Sequence, residues 1–247
     1  RPMEEAMCGR YVLESLVDLP EDLSERFDIR QIPLNLMSTF NAAPSQMLPV
    51  IVESNEGERM LKLMNWGLAP RWASKGKPLP PPINARLETI DQKPMFKGLL
   101  SKRRCLVPTS GFYEWKATSS GKKQPYFIHV KDEPLVAFAG LWDATTPEIA
   151  AAEASSGSFT IVTTQAQGAM TELHHRMPVI LARALEGDWL DPDLDEAAMA
   201  AALLQAAPMQ DLEAYPVSTA VNNVRNNTPE LIEPIETEPE REQGELF

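Results

Sequence analysis

Apolar residues fall in short runs along most of the chain, at 47–53, 60–66, 104–109, 125–130, 135–142, 159–164 and 178–182. Each run is rich in β-branched or aromatic residues and stops at Gly, Pro or a polar cluster, which is the pattern of strands rather than helices. Ser54-Asn55-Glu56-Gly57 and the segment 119–123 read as hairpin turns between neighbouring runs. Helical periodicity is confined to two places. Residues 12–30 read as helical turns after a short strand. An Ala-rich stretch from about Asp195 to Ala206 reads as a late helix capped by Asp193 or Asp195. Strands spread over the whole chain without a linker predict one mixed domain, with no internal repeats. Pro78, Pro80, Pro81 and Pro82 make 75–82 an extended loop leading into Ile83-Asn84-Ala85-Arg86.

The 247 residues are 43% hydrophobic, enough for one large domain with a real core. No run approaches the roughly eighteen apolar residues of a membrane helix, and no charged-then-apolar signal segment opens the chain, so the expected location is the cytoplasm, beside the nucleoid. Cys8 and Cys105, far apart, are no disulfide framework. Three histidines without close Cys/His spacing imply neither a metal site nor a cofactor. The net charge of −12 argues against nucleic acid until its distribution is read. From Lys62 to Lys123, thirteen Lys/Arg face three acidic residues, a balance of +10, while after Thr228 seven Glu face one Arg. A basic middle can follow a phosphate backbone; scattered solvated lysines are the equally open alternative.

Cys8 stands directly behind Met7. With translation starting at Met7, removal of the initiator leaves Cys8 first, with an α-amine and a thiol on adjacent carbons. Such a 1,2-aminothiol captures aldehydes: the amine forms an imine and the sulfur closes a five-membered thiazolidine ring. An N-terminal amine, with a reference pKa of about 8 against about 10 for lysine, is usable near neutral pH. A buried core cysteine is the competing reading. Residues 1–6 are then expected to be a leader or a start-site extension, 7–227 the domain, and the Glu/Pro-rich 228–247 an acidic tail with little to bury.

Four segments concentrate polar residues beside aromatic or proline positions: Asn41-Ala42-Ala43-Pro44, Ile83-Asn84-Ala85-Arg86, Gly111-Phe112-Tyr113-Glu114-Trp115 and His174-His175-Arg176-Met177-Pro178. Together with Met7-Cys8-Gly9-Arg10 this set resembles the SRAP (SOS response-associated peptidase) family. Trp66-Gly67-Leu68-Ala69-Pro70, Arg104-Cys105-Leu106-Val107-Pro108, Gly140-Leu141-Trp142-Asp143 and Thr160-Ile161-Val162-Thr163-Thr164 follow the same pattern in the same order, over residues 7–227. The resemblance implies an α+β fold, a single strand-rich domain built as a pseudobarrel of mixed β-sheet with flanking helices and a groove.

It also implies a function: recognition of abasic sites in single-stranded DNA and a covalent crosslink through the N-terminal cysteine to the C1′ aldehyde. On that resemblance Cys8 is the nucleophile and Glu114 the carboxylate that holds the amine and shuttles its protons. Apolar neighbours would raise the Glu114 pKa and suit it to the task. His174 assists opening of the sugar and dehydration, and Asn84 positions the amine or the product. Arg10, Arg86 and Arg176 match phosphate contacts, Trp72 a base-stacking aromatic and Asn41 a groove-lining position. Trp66, Trp142, Met177 and Pro178 are expected to pack. The partner is single-stranded DNA and the chain a monomer. Two other functions stay open: a thiol (auto)peptidase using Cys8 with His174 as base and Asn84 as orienter, and a non-covalent single-strand binder.

Overall fold

The computed structural model describes residues 8–15, 18–30, 32, 36–54, 56–69, 80–119, 121–144 and 157–236. Among these residues thirteen strands and four α-helices follow one another. The first half holds β1 (Tyr11–Leu13), α1 (Leu19–Phe27), β2 (Thr39–Ala42), β3 (Met47–Glu53), β4 (Arg59–Trp66), β5 (Asn84–Arg86), α2 (Pro94–Lys102) and β6 (Arg104–Thr109). Then come β7 (Gly111–Ala117), β8 (Lys123–Val130), β9 (Val136–Ala144), β10 (Gly157–Gln165), β11 (Arg176–Pro178) and β12 (Ile180–Leu181). The last elements are α3 (Arg183–Leu190), α4 (Ala197–Ala206) and β13 (Leu212–Pro216).

The strands build two layers. One is an antiparallel sheet in the order β13-β8-β7-β1-β2. In the other, β10, β4, β3, β6 and β9 follow in sequence, and β9 pairs back onto β10 across Gly157–Ile161, so the path closes on itself. Closure leaves these five strands without a free edge. The short strands β5 and β11 extend β10, and β12 extends β9. The fold is therefore the expected α+β pseudobarrel with flanking helices. Strand β3 is apolar and buried at five successive positions because it lies inside the ring. Its Pro49 is tolerated because β3 meets β6 only at Ile51, so no ladder bond on that side is lost.

Aromatic rings join the layers. Tyr11 of the first sheet lies against Trp66, with ring centroids 5.3 Å apart, and edge-on to Phe138 at 6.2 Å. Phe112 meets Phe138 edge-on at 5.9 Å, and Trp66 stacks on Phe159 at 6.3 Å. Each buried ring removes a large apolar area from water, and each pairing adds roughly 0.5–1.5 kcal/mol beyond that burial.

Helix α1 forms where Leu19, Leu23 and Phe27 recur at i, i+4 and i+8 and bury one stripe. Asp18 caps it by accepting from the Glu21 N–H at 3.2 Å, and Asp28, at φ 54°, ends it. The helix thus starts later than the 12–30 pattern suggested, because Val12 and Leu13 are taken into the sheet as β1. Its Arg26 makes two bonds to Glu186 of α3, at 3.0 and 2.7 Å. The late helix also differs in detail: it begins at Ala197 behind Glu196, and no side chain caps it. Both hairpin turns are as expected, Gly57 taking φ 77° in the first.

The segment from 228 was expected to be a tail. Through residue 236 it packs instead: Pro229–Ile232 makes a 3₁₀ turn, Pro234 bridges to Val217, and Leu231 is buried with Val12, Tyr113 and Val221. The apolar Leu231 and Ile232 among the glutamates supply the surface that a tail would lack. Residues 237–247 lie outside the described residues.

Gly111 opens β7 where a Cβ would sit 2.5 Å from the Phe127 ring and 2.6 Å from the Ile128 carbonyl. Gly111→Ala should lose about 1–3 kcal/mol in chemical denaturation, since backbone as well as ring must move. A neutral result would mean that β7 and β8 separate more easily than their register implies.

Candidate active site

The register of β1 against β7 aligns the start of the domain with a carboxylate. Tyr11 pairs with Phe112, Val12 with Gly111, and the Tyr113 N–H donates to the Arg10 carbonyl at 3.1 Å. Carried back along an antiparallel pair, this brings residues 8 and 9 beside Glu114. Cys8 turns there with φ 42°, a left-handed backbone that costs a non-glycine residue of the order of 1–2 kcal/mol. The turn directs the Cys8 N–H onto Glu114 Oε1 at 2.9 Å. Both residues are buried, Cys8 at 1% and Glu114 at 3% exposure. Burial, and then the charge of Glu114, push the Cys8 thiol well above its ordinary pKa, so it is held as a thiol. Tyr11, three residues on, has a buried hydroxyl with no hydrogen-bond partner among the described residues.

Trp66 connects this corner to the next group. Its ring contacts Tyr11, while its Nε1–H donates to the Ile83 carbonyl at 3.0 Å, one residue before Asn84. Asn84 lies on β5 opposite Ile161, and its Nδ2 is buried with no hydrogen-bond partner among the described residues. A buried amide donor left unpaired costs about 1–3 kcal/mol, so this one calls for a water or a ligand. Arg86, two residues on and half-buried, lies opposite Thr163.

His174 follows a 3₁₀ turn (Gly168–Glu172) anchored by buried Met170. Its Nδ1 lies 3.2 Å from the Arg176 nitrogen and 3.3 Å from the Arg176 carbonyl oxygen, so it accepts from the first or donates to the second according to its tautomer. Its ring lies 4.3 Å from that of His175. Arg176, only 6% exposed, faces inward: Nη1 donates to Glu88 at 2.7 Å and Nη2 to the Thr163 carbonyl at 2.8 Å. In this geometry it braces β11 against β10 rather than facing solvent.

Asn41 is likewise enclosed. Its Nδ2 approaches the carbonyls of Val221, Asn223 and Asn226 at 3.2, 3.1 and 2.9 Å, and its Oδ1 accepts from Arg10 at 2.7 Å. Arg10 also donates to the Val221 and Asn222 carbonyls, and burial lowers its pKa. Trp115, next to Glu114, donates from Nε1 to Asn222 Oδ1 at 2.7 Å. The loop 218–228 is thereby latched onto Arg10, Asn41 and Trp115, on the face of the first sheet that carries Val12 and Tyr113. Sequence reasoning passed over this loop, although four asparagines within residues 222–227 were its visible signal. Trp72 lies outside the described residues. Trp66 and Met177 pack as expected, while Trp142 is only half-buried, its ring 4.6 Å from the Arg103 guanidinium and 5.3 Å from Lys62 Nζ. Among the described residues no cluster of His, Cys, Asp or Glu could hold a metal ion, and no helix is long and apolar enough to cross a membrane.

Comparison with known proteins identifies this arrangement. The family model of SOS response associated peptidase (SRAP) matches residues 7–224. The chain belongs to the SRAP family. Among its relatives is an abasic site processing protein of Bacillus subtilis (strain 168), YoqW, 41% identical over 92% of this chain and 99% of that protein. Another, the abasic site processing protein YedK of Escherichia coli (strain K12), is 32% identical over 93% and 100%. A crystal structure of a Bacteroides thetaiotaomicron protein superposes with a TM-score of 0.75 at 25% identity, covering 93% of this chain and all of the other. The SRAP motifs thus sit on a closed barrel, with Cys8 and Glu114 on the adjoining sheet.

Two outcomes follow from this geometry. Glu114→Gln keeps an acceptor for the Cys8 N–H but removes the neighbouring charge, so the Cys8 thiol should titrate at lower pH, read by thiolate absorbance in Cys105→Ala background. An unchanged midpoint would mean that the charge is not felt at sulfur. Asn41→Ala leaves three carbonyls and the Arg10 guanidinium short of a partner; a loss of about 2 kcal/mol or more is expected, with faster hydrogen exchange confined to residues 221–226.

Proposed function

We propose that this SRAP chain acts on abasic sites in single-stranded DNA, Cys8 capturing the open sugar as a thiazolidine. The observation that carries the reading is the Cys8 nitrogen held 2.9 Å from the buried Glu114 carboxylate. With Met7 in place that nitrogen is a peptide amide, so the reacting form is the one that begins at Cys8. The names of the relatives, abasic site processing proteins, support the substrate.

The chemistry balances without a cofactor. Glu114 takes a proton from the Cys8 ammonium, and the freed amine adds to C1′ of the open-chain sugar, forming an N–C1′ bond. Glu114 returns the proton to the C1′ hydroxyl, which leaves as water and gives the protonated imine. Sγ then adds to C1′, the thiol proton passes to Glu114, and the five-membered ring closes with one water and one proton released overall. A thiol kept protonated by burial suits this order, in which the amine acts first and sulfur second. His174 serves the opening of the sugar, and the unpaired Asn84 amide serves as donor to the bound sugar or ring nitrogen. Arg10 and Arg86 are the phosphate contacts, with Asn41 and Arg176 setting the loops that carry them, and Trp72 stacks on a neighbouring base. The chain works as a monomer in the cytoplasm.

A thiol peptidase would couple Cys8 to His174 as a thiolate pair. The neighbour of Cys8 is a carboxylate that disfavours a thiolate, and this favours aldehyde capture. The deciding experiment incubates chains starting at Met7 and at Arg1 with an oligonucleotide bearing one abasic site, followed by a denaturing gel. The Met7 chain alone should give a slow-migrating band, lost in Cys8→Ala and slowed by about 10²-fold or more in Glu114→Gln. A band from unprocessed Arg1 chain, verified by mass spectrometry, would overturn the thiazolidine.

A further inference from the structure

A cavity of about 230 Å³ lies on the far side of the Arg176–Glu88 pair. Its walls come from Glu88, the end of β10, the segment that follows Arg176, and the turn leaving α4. Gln167 and Gln205 supply amides, Gln210 turns its amide donor Nε2 back to the Pro208 carbonyl at 3.1 Å, and Met177 and Met209 supply thioethers. Among the described residues no lysine, arginine or histidine lines it. Glu88 keeps 37% of its side chain exposed. Burial alone would raise its pKa, but the hydrogen bond and charge of Arg176 prevail, so it stays ionised.

This lining selects a ligand. A phosphate would meet a carboxylate and, among the described residues, no cation, and an alkyl chain would leave the amides of Gln167 and Gln205 beside hydrocarbon. A flat heterocycle with an amino group satisfies both kinds of wall. Glutamine pairs bidentately with the N6/N7 edge of adenine, and methionine sulfur packs well on aromatic rings. The volume is below that of drug-sized pockets and suits one ring system. Met209 is 55% exposed at the lip, where a stacked base would cover it. Position along the barrel agrees: Thr164, in the wall, is three residues beyond Ile161, the partner of Asn84, or about 10 Å along β10. Met209 also lies against Gly168 of the turn that leads to His174, a Cβ there meeting its methyl at 3.2 Å.

We infer that this cavity is a subsite for an unstacked adenine of a nucleotide flanking the lesion. The inference rests on the proposed action on single-stranded DNA and adds base preference to it. An occupied subsite fixes the strand on both sides of the Arg176 brace and presses on the His174 turn through Met209.

The test uses the full chain with methyl-labelled methionine, titrated with a single-stranded deoxyadenosine pentamer and, separately, with a pentamer of abasic spacers of equal charge. The Met177 and Met209 methyl signals, assigned through Met177→Leu and Met209→Leu, should shift with the first oligonucleotide and not the second. Gln205→Leu, exposed on α4 and away from Cys8, should weaken adenosine binding about fivefold, one hydrogen bond's worth, with an unchanged melting temperature. Unmoved methyls, or equal shifts with the spacer, overturn the subsite. Crosslinking by the Met7 chain is scored independently. Methyl shifts without crosslinking leave the subsite standing and remove the thiazolidine reading, and crosslinking with silent methyls does the reverse.

Discussion

The contact between the Cys8 nitrogen and the Glu114 carboxylate sets the terms for everything around it. A carboxylate at 3% exposure is costly to bury, by several kcal/mol, unless donors are held against it. The β1–β7 register provides one such donor by bringing the start of the domain alongside Glu114, and the left-handed turn at Cys8 aims the N–H. That turn is itself unfavourable for a cysteine, so it persists only because the flanking pairing over-determines it. On the proposed chemistry, stability and reactivity draw on the same bond: the nitrogen helps to keep the carboxylate buried, and the carboxylate would carry the nitrogen's proton.

Rigidity at this corner comes from the closed ring. With β9 and β10 paired, no strand of the ring can slide without breaking its neighbours, and the Tyr11–Trp66–Phe138 contacts fix the first sheet onto it. Strand β10 is the common spine. Asn84 and Arg86 reach it through β5, Arg176 through β11, and the cavity beside Glu88 uses its last turn of residues. The asparagine latch plays the same part on the other face of the first sheet, trading the hydrogen-bonding capacity of Asn41 for a fixed loop 218–228.

Much of this was legible before the fold was known. The apolar runs marked β3, β4, β6, β9 and β10 of the barrel and β8 of the first sheet closely, because each buries apolar residues in succession or alternation. The strands not marked were β2, β5, β7, β11 and β13: four are short or half-exposed with partners far away in sequence, and β7 interleaves Glu114 and Lys116 with its aromatics. The polar segments carrying Cys8, Asn84, Glu114 and His174 stood out because such residues beside aromatics and prolines serve no obvious packing purpose. Arg176 and Asn41 looked the same from the sequence. Only their partners, Glu88 and Thr163 for one and three backbone carbonyls for the other, separate a bracing role from an exposed contact.

The sequence by itself determined the residue types available for chemistry: a cysteine behind a methionine, a glutamate between aromatics, an asparagine after a proline run. It determined the strand-rich class as well, since hydrophobic periodicity is a local property that any window of the chain displays. The tertiary structure alone decided which of these groups meet. Residues 8 and 114 are neighbours because of a strand register, and register depends on long-range pairing that no local window contains. It also decided that Leu231 is core rather than tail, that Asn84 has no partner for its buried donor among the described residues, and that a cavity forms beside Glu88. Those are properties of surfaces brought together, and burial, which governs their energies, exists only once the chain has closed around them.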